Sequence, residues 1–242
     1  MTYRYALTRE DHSDLAGGVL HSAPGFPAFP VRLASEMFQR ALAFLPDSTA
    51  RVWDPCCGSG HLLTVLALLH RRDIHAVLGT DVDPAALVLA RKNLDLLGEH
   101  GLDARAEELR ARAERLGKPA YLDAAAAAQR LARRLARDGG TLPYDVARAD
   151  VFDTGHLRRV LKHRHPNLVI TDVPYGEQTS WVGATGATGV ESMLRSLESV
   201  LDDGAVIAVA TRGRKVSLHR DRRPVASFRI GTRAVAICRV VR

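Results

Sequence analysis

The chain has 242 residues, of which 46% are hydrophobic and 25% charged. That usage is ordinary for a globular protein, excludes a disordered or fibrous chain, and suffices for a buried core without staples. Lys and Arg number 34 against 27 Asp and Glu, and the net charge of +7 favours a polyanionic partner such as a nucleic acid without establishing one.

Residues 1–30 read as irregular, because Pro24, Pro27 and Pro30 break any helical pattern. A helix is predicted over 31–45, with Leu33, Met37, Ala41 and Phe44 or Leu45 on one face. A short strand at 51–54 then meets the turn Pro55-Cys56-Cys57-Gly58-Ser59-Gly60. The nearly continuous apolar run 61–69 reads as a helix packed between a sheet and its neighbours. A second strand at 74–80 runs into Asp81. Asp83 caps, and Pro84 opens, a helix that continues to Leu97. Residues 99–140 break the rhythm as two Ala- and Arg-rich helices, 103–116 and 119–138. Strands follow at 144–149 and 167–171, a helix at 187–201 and a buried strand at 205–211. Runs 225–230 and 233–241 flank Gly231-Thr232 as a hairpin.

This alternation predicts an α/β fold: a Rossmann-like, doubly wound, mostly parallel seven-stranded sheet with a C-terminal antiparallel hairpin. The expected organisation is a single domain over 1–242, with an N-terminal loop and helix at 1–46 and a helical insert at 99–140. The three cysteines, Cys56, Cys57 and Cys238, form neither a disulfide framework nor a Cys-x-x-Cys zinc pattern, so no metal is expected. No run approaches 18 apolar residues and the N-terminus lacks a signal core, so the expected location is the cytoplasm, away from membranes.

In a parallel sheet, ligands bind beyond the carboxyl ends of the strands. Four predicted ends carry an acid: Asp54, Asp81, Asp150 and Asp172. A single Asp there is a common turn former or cap; four in succession point to a site. Gly58 and Gly60 let the backbone approach a ligand where a Cβ would collide. A dinucleotide fingerprint would need Gly or Ala at Leu63, so a nicotinamide-dependent oxidoreductase remains an opposed alternative. Asp81 does not discriminate, since an acceptor-only carboxylate suits the ribose of either kind of cofactor. A non-catalytic RNA-binding module on the same fold is a further alternative, which predicts decayed motifs; none of the four acids is missing.

Asp54-Pro-Cys-Cys-Gly-Ser-Gly60 resembles the first motif of the class I S-adenosylmethionine-dependent methyltransferases, whose loop contacts the methionine end of that cofactor. Thr171-Asp172-Val-Pro-Tyr-Gly176 resembles the (Asp/Asn)-Pro-Pro-(Tyr/Phe) motif of those that modify nitrogen, with Val173 where proline is usual. The likeness covers 31–97 and 141–211. It implies S-adenosylmethionine held by Asp54, Cys56, Gly58, Gly60, Asp81 at the ribose and Asp150 at the adenine amine. It also implies catalysis by Asp172 and Tyr175, with Tyr175 stacking on the target ring and Pro174 contacting substrate. With the Pro-rich N-terminus and the insert included, the chain resembles the avilamycin-resistance methyltransferases of 23S ribosomal RNA. That implies transfer to a guanine and resistance to a ribosome-targeting antibiotic such as avilamycin. Exocyclic amines are the commoner target of the (Asp/Asn)-Pro-Pro-(Tyr/Phe) motif, which argues for N2. The resemblance to the avilamycin-resistance enzymes implies N1, and N1 also suits Asp172 as general base, because the N1 proton must leave before its lone pair attacks. N1 is therefore favoured over N2.

Basic residues cluster three times. Arg130, Arg133, Arg134 and Arg137 share a helix face, read as solvated and tempered by Glu107, Glu108 and Glu114. Arg158-Arg159 with 162–165 is the second cluster. Arg212, Arg214, Lys215, Arg220, Arg222 and Arg223 follow a strand and are expected on the sheet edge that bears the site. Arg220, Arg222 and Arg223 are there expected to hold RNA phosphates.

Overall fold

The computed structural model describes residues 3–7, 11–16, 18–46, 49–173, 189–219 and 221–241. The described strands are β1 (Ala50–Asp54), β2 (Ile74–Asp81), β3 (Tyr144–Arg148), β4 (Leu168–Asp172), β5 (Val206–Arg212), β6 (Ala226–Ile230) and β7 (Arg233–Arg239). They form a seven-stranded sheet in the order β3-β2-β1-β4-β5-β7-β6. The first five are parallel; β7 inserts antiparallel between β5 and β6. The order reverses between β1 and β4, which is where a doubly wound sheet opens a crevice. The expected fold class holds, with the hairpin joined to the sheet through its second strand.

The helices are α1 (Ser13–Ala16), α2 (Val31–Leu42), α3 (His61–Leu69), α4 (Pro84–Leu94), α5 (Gly101–Leu116), α6 (Ala120–Arg137), α7 (Thr154–Leu161) and α8 (Val190–Val200). Every residue from Leu62 to Leu68 is buried, as an unbroken apolar helix against a sheet requires. One face of the sheet packs on α2, α3 and α4, with α5 and α6 packed on each other behind them; the other packs Trp53, Val169 and Ile207 against Leu157 of α7 and Leu194 and Leu197 of α8. Helix α7 is absent from the sequence reading. Its start signal was there: the Asp153 carboxylate accepts the N–H of His156 at 2.9 Å, an ordinary N-cap.

Among its described residues the N-terminal segment is irregular through its prolines as expected, apart from the one-turn helix α1 that the expectation lacked, and it is firmly tied. Asn93 of α4, fully buried, accepts the His21 N–H at 2.7 Å and donates to the carbonyls of His21 at 2.9 Å and Ser59 at 2.8 Å. Arg105 of α5 donates to the carbonyls of Val19 and Gly18 at 2.8 and 3.1 Å. Glu36 of α2, fully buried, takes the N–H groups of Arg4, Tyr5 and Ala6 at 2.6, 2.9 and 2.9 Å and pairs with Arg40 at 2.6 Å. Burial alone would raise the Glu36 carboxyl, but these N–H groups and Arg40 outweigh it and hold it below the ordinary 4.5.

A carboxyl depressed in the folded state contributes stability above its unfolded value and loses it as pH falls through the folded one. Glu36→Gln is therefore expected to cost about 1.5–3 kcal/mol at neutral pH. It should also flatten the fall of melting temperature below pH 4.5, read by thermal unfolding across pH.

Candidate active site

The carboxyl ends of β1 to β4 bring the four predicted acids to one edge, and strand order arrays them as Asp150, Asp81, Asp54, Asp172. All four line a cavity of about 350 Å³, together with Cys56 and Gly58. The turn after β1 is shaped by its neighbour β2. The Cys57 N–H donates to the Thr80 carbonyl at 2.9 Å, and the Gly58 N–H to Asp81 Oδ2 at 2.8 Å. Asp81 Oδ1 accepts from the Asp83 N–H at 3.0 Å, while Asp83 accepts from Ala85 at 2.8 Å as the expected cap of α4. Asp150 turns the chain by accepting the Phe152 N–H at 2.9 Å.

Gly58 and Gly60 both have positive φ, +51° and +71°, but they serve different ends. A Cβ on Gly58 would meet nothing nearer than Phe26 Cδ1 at 4.0 Å, so it would stand in the open cavity. A Cβ on Gly60 would lie 3.0 Å from the Ala90 Cα. Gly60 lies next to the cavity-lining residues Gly58 and Ser59, and its lack of a side chain lets the turn pack on α4, a structural reason for glycine that stands beside its expected contact with a cofactor.

Electrostatics distinguish the groups. Burial pushes the Asp54 carboxyl up to about 7, and the nearby Asp81 and Asp172 add to the rise. Burial also raises Asp81, against the N–H groups of Asp83 and Gly58 that lower it. The Cys56 thiol is pushed well above its ordinary value by burial and then by Asp54, so it is neutral and no nucleophile. His61 opens α3 at the cavity; burial brings its imidazole down to about 4, leaving it neutral at pH 7.

Several cavity residues escaped the sequence. Phe26, Pro27 and Phe29 of the N-terminal segment form one wall, and Phe152 stands beside Asp150. Proline-spaced aromatics were their only signal. Val173, 2% exposed, belongs to the same apolar cluster as Trp53 and lines the cavity. Pro174 and Tyr175 lie outside the described residues, as does Arg220.

The basic clusters are redistributed. Arg222 pairs with Glu198 of α8, and Arg222 and Arg223 share a groove with Arg239. Arg239 is in register with Val206, the first residue of β5. Arg222 and Arg223 therefore sit at the amino edge of the sheet, opposite the cavity, because the chain after β5 crosses the sheet to begin β6. Their expected place at the site edge is corrected. Arg212 ends β5 at the cavity edge, where Arg214 and Lys215 follow, exposed. Of the α6 arginines, Arg130 pairs with Asp14 at 2.6 Å, and Arg134 and Arg137 pair with Asp138 at 3.7 and 3.3 Å; among the described residues none of these three ion pairs involves a glutamate of α5.

The model of the rRNA methyltransferase AviRa family matches residues 1–233. The chain belongs to the AviRa rRNA methyltransferase family. It is 55% identical over 239 residues to the 23S rRNA (guanine(2535)-N(1))-methyltransferase of Streptomyces viridochromogenes, covering 98% of this chain and 95% of that one. Two solved structures of AviRa from the same organism superpose with a TM-score of 0.92, at 55% and 54% identity, over 99% of this chain and 97% of theirs. Membership of a methyltransferase family closes the oxidoreductase and non-catalytic alternatives. No helix among the described residues is long and apolar enough to cross a membrane.

The two glycines should separate in measurement. Gly58→Ala and Gly60→Ala share the ~1–2 kcal/mol strain of a left-handed residue with a Cβ. Gly60→Ala should lose a further ~1–3 kcal/mol by overpacking α4, read as the lower melting temperature of the pair.

Proposed function

We propose that this AviRa-family enzyme transfers a methyl group from S-adenosylmethionine to N1 of a guanine in 23S rRNA. The methylated ribosome would then resist an antibiotic such as avilamycin. The reading places the work in the cytoplasm, in a single domain to which 1–46 and 99–140 are additions. The observation that carries it is the order of acids along the edge, Asp150, Asp81, Asp54, Asp172. That order is the order of parts in an extended adenosyl cofactor followed by its acceptor. The N1 atom is the one in the name of the Streptomyces viridochromogenes relative.

The residues present fit the cofactor. The open space facing Gly58 is a cradle that a Cβ would fill. Asp150 is assigned to the adenine amine and Asp81, with acceptor capacity left beyond its two N–H bonds, to the ribose hydroxyls. The Gly58 turn, with Asp54 and Cys56, takes the methionine end. Bound there, the cofactor supplies an electrophilic methyl on a positively charged sulfur.

The protein's own part is to present the nucleophile. A paired base is out of reach, so the guanine is flipped out or already unpaired. Asp172 accepts its N1–H and takes the proton as general base, freeing the N1 lone pair. Pro174 and Tyr175 are assigned to holding and stacking the base. Phe26 and Phe29, in the cavity wall, are assigned to shielding the bound groups from water. Arg214 and Lys215, exposed beyond β5, are assigned to RNA phosphates in place of Arg222 and Arg223.

Three outcomes check this reading. Asp81→Ala should weaken S-adenosylmethionine binding by ~1.5–3 kcal/mol by calorimetry, whereas Asp172→Ala should bind the cofactor normally and abolish turnover. Reverse transcription across modified 23S rRNA should stop one nucleotide short of the methylated guanine; stoichiometric methylation with clean read-through would place the methyl on N2 instead. Neutralising Arg214 and Lys215 should flatten the log–log salt dependence of RNA binding by roughly 1.4, at ~0.7 per single-strand phosphate, with Arg223→Ala leaving the slope unchanged.

A further inference from the structure

Asp172 does not stand alone at the end of β4. Arg233, the first residue of β7, brings its Nη2 to 3.5 Å from Asp172 Oδ2. The Arg233 side chain is 10% exposed, and its guanidinium lies 5.0 Å from the centre of the Phe29 ring in the cavity wall. The ladder explains the placement: Arg233 is in register with Arg212, the last residue of β5, at the edge where β4 also ends. A contact of 3.5 Å is long for a charge-assisted bond, which closes to about 2.7–2.9 Å. The guanidinium donates to the carboxylate across this longer distance, and the two groups stand side by side, an acceptor beside a donor.

That pair is the complement of one base edge. Guanine presents the N1–H donor next to the O6 acceptor on its Watson–Crick edge; adenine presents an N1 acceptor next to an amino donor, the reverse. Resting on the N1 reading above, we propose that Arg233 is a catalytic and guanine-specifying residue, donating to O6 while Asp172 accepts the N1–H. The electron balance shows why a cation belongs there. As the N1–H bond breaks, the proton passes to Asp172 and the ring takes a negative charge shared between N1 and O6. The N1 lone pair then forms the bond to the methyl carbon of the sulfonium donor. The carbon–sulfur bond breaks with its electrons left on sulfur, giving a neutral thioether. O6 returns to a neutral carbonyl, and the proton on Asp172 leaves to water. Arg233 holds the O6 charge for the interval in which it exists, as an oxyanion donor does. An adenine in the same place would set its amino group against the guanidinium and its N1 against the carboxylate, so neither charge would meet a partner of the right kind on the base.

The test compares Arg233→Met and Arg233→Lys with wild type in single-turnover methylation of a 23S rRNA fragment carrying the mapped guanine. The same fragment with 6-thioguanine at that position replaces O6 by a poor acceptor. Arg233→Met should slow transfer to guanine by about 100-fold or more, the loss typical of one oxyanion donor, with S-adenosylmethionine affinity and melting temperature retained. On the thio fragment its loss should be less than about a tenth as large, and Arg233→Lys should recover part of the rate on guanine. A wild-type rate in Arg233→Met, or equal losses on both fragments, overturns the assignment, the second because Arg233 would then act through the fold alone. If Arg233→Met does not fold, Arg233→Lys takes its place on the two fragments, and a wild-type rate or equal losses there overturn the assignment in the same way. Failure of wild type to methylate N1 at all overturns the underlying reading, and is distinct from either result.

Discussion

The site rests on the bond between the Gly58 N–H and Asp81. It fixes the turn after β1 against the end of β2, so two acids from different strands and the open glycine become one surface. The packing beneath is equally specific. Cys57 Sγ would lie 3.1 Å from a Cβ on Gly79, so β2 carries a glycine where the turn leans on it. On the other side Gly60 accepts the close approach of α4. A turn held this way needs little reorganisation to receive a ligand, which is where preorganised sites save free energy.

The N-terminal segment is the second half of the same construction. Ordering an irregular chain costs about 1–2 kcal/mol per residue, so a Pro-rich segment stays over a cavity only if something holds it. Prolines lower that cost by restricting the unfolded chain. Asn93 does the holding at the centre, since its one amide binds both the segment at His21 and the glycine turn at Ser59. Arg105 adds a grip from α5, which gives the helical insert a structural part in the site although it stands away from the cavity wall. Phe26 and Phe29 reach the cavity on that account.

What was legible in the sequence follows from periodicity and strand ends. Four of the seven strands were readable as apolar runs that lead into an Asp, β5 as a buried apolar run, and β6 and β7 as β-branched runs flanking a two-residue turn. The short helix α7 was missed because its eight residues carry only Leu157 and Leu161 as buried positions, too few to show a period. The aromatic wall was missed because a proline-rich stretch carries no periodicity to say which way its side chains face. Arg222 and Arg223 were misplaced for a topological reason: proximity in sequence to the end of β5 does not survive a connection that crosses to the other edge. Gly60 shows that a glycine motif read as one unit can divide its labour between ligand space and helix packing.

Charge ties these parts together. The chain is basic overall, yet its cavity gathers Asp54, Asp81, Asp150 and Asp172. That gathering has a cost visible in Asp54, whose carboxyl is raised to about 7 chiefly by burial. Between its unfolded 3.8 and about 7 the folded state keeps a proton the unfolded state has lost, so this group's stability contribution falls as pH rises through that window. The N–H bonds to Asp81 oppose the same tendency one strand away. The arrangement sorts an RNA substrate by parts. On the proposed reading, phosphates would be drawn to exposed cations at the rim such as Arg214 and Lys215 and repelled by the carboxylates within. A neutral base meets no such barrier. Arg233 is the cation set against Asp172 and beside the Phe29 ring, so the acidic cavity holds a positive charge at the place where deprotonation of a guanine would create a negative one.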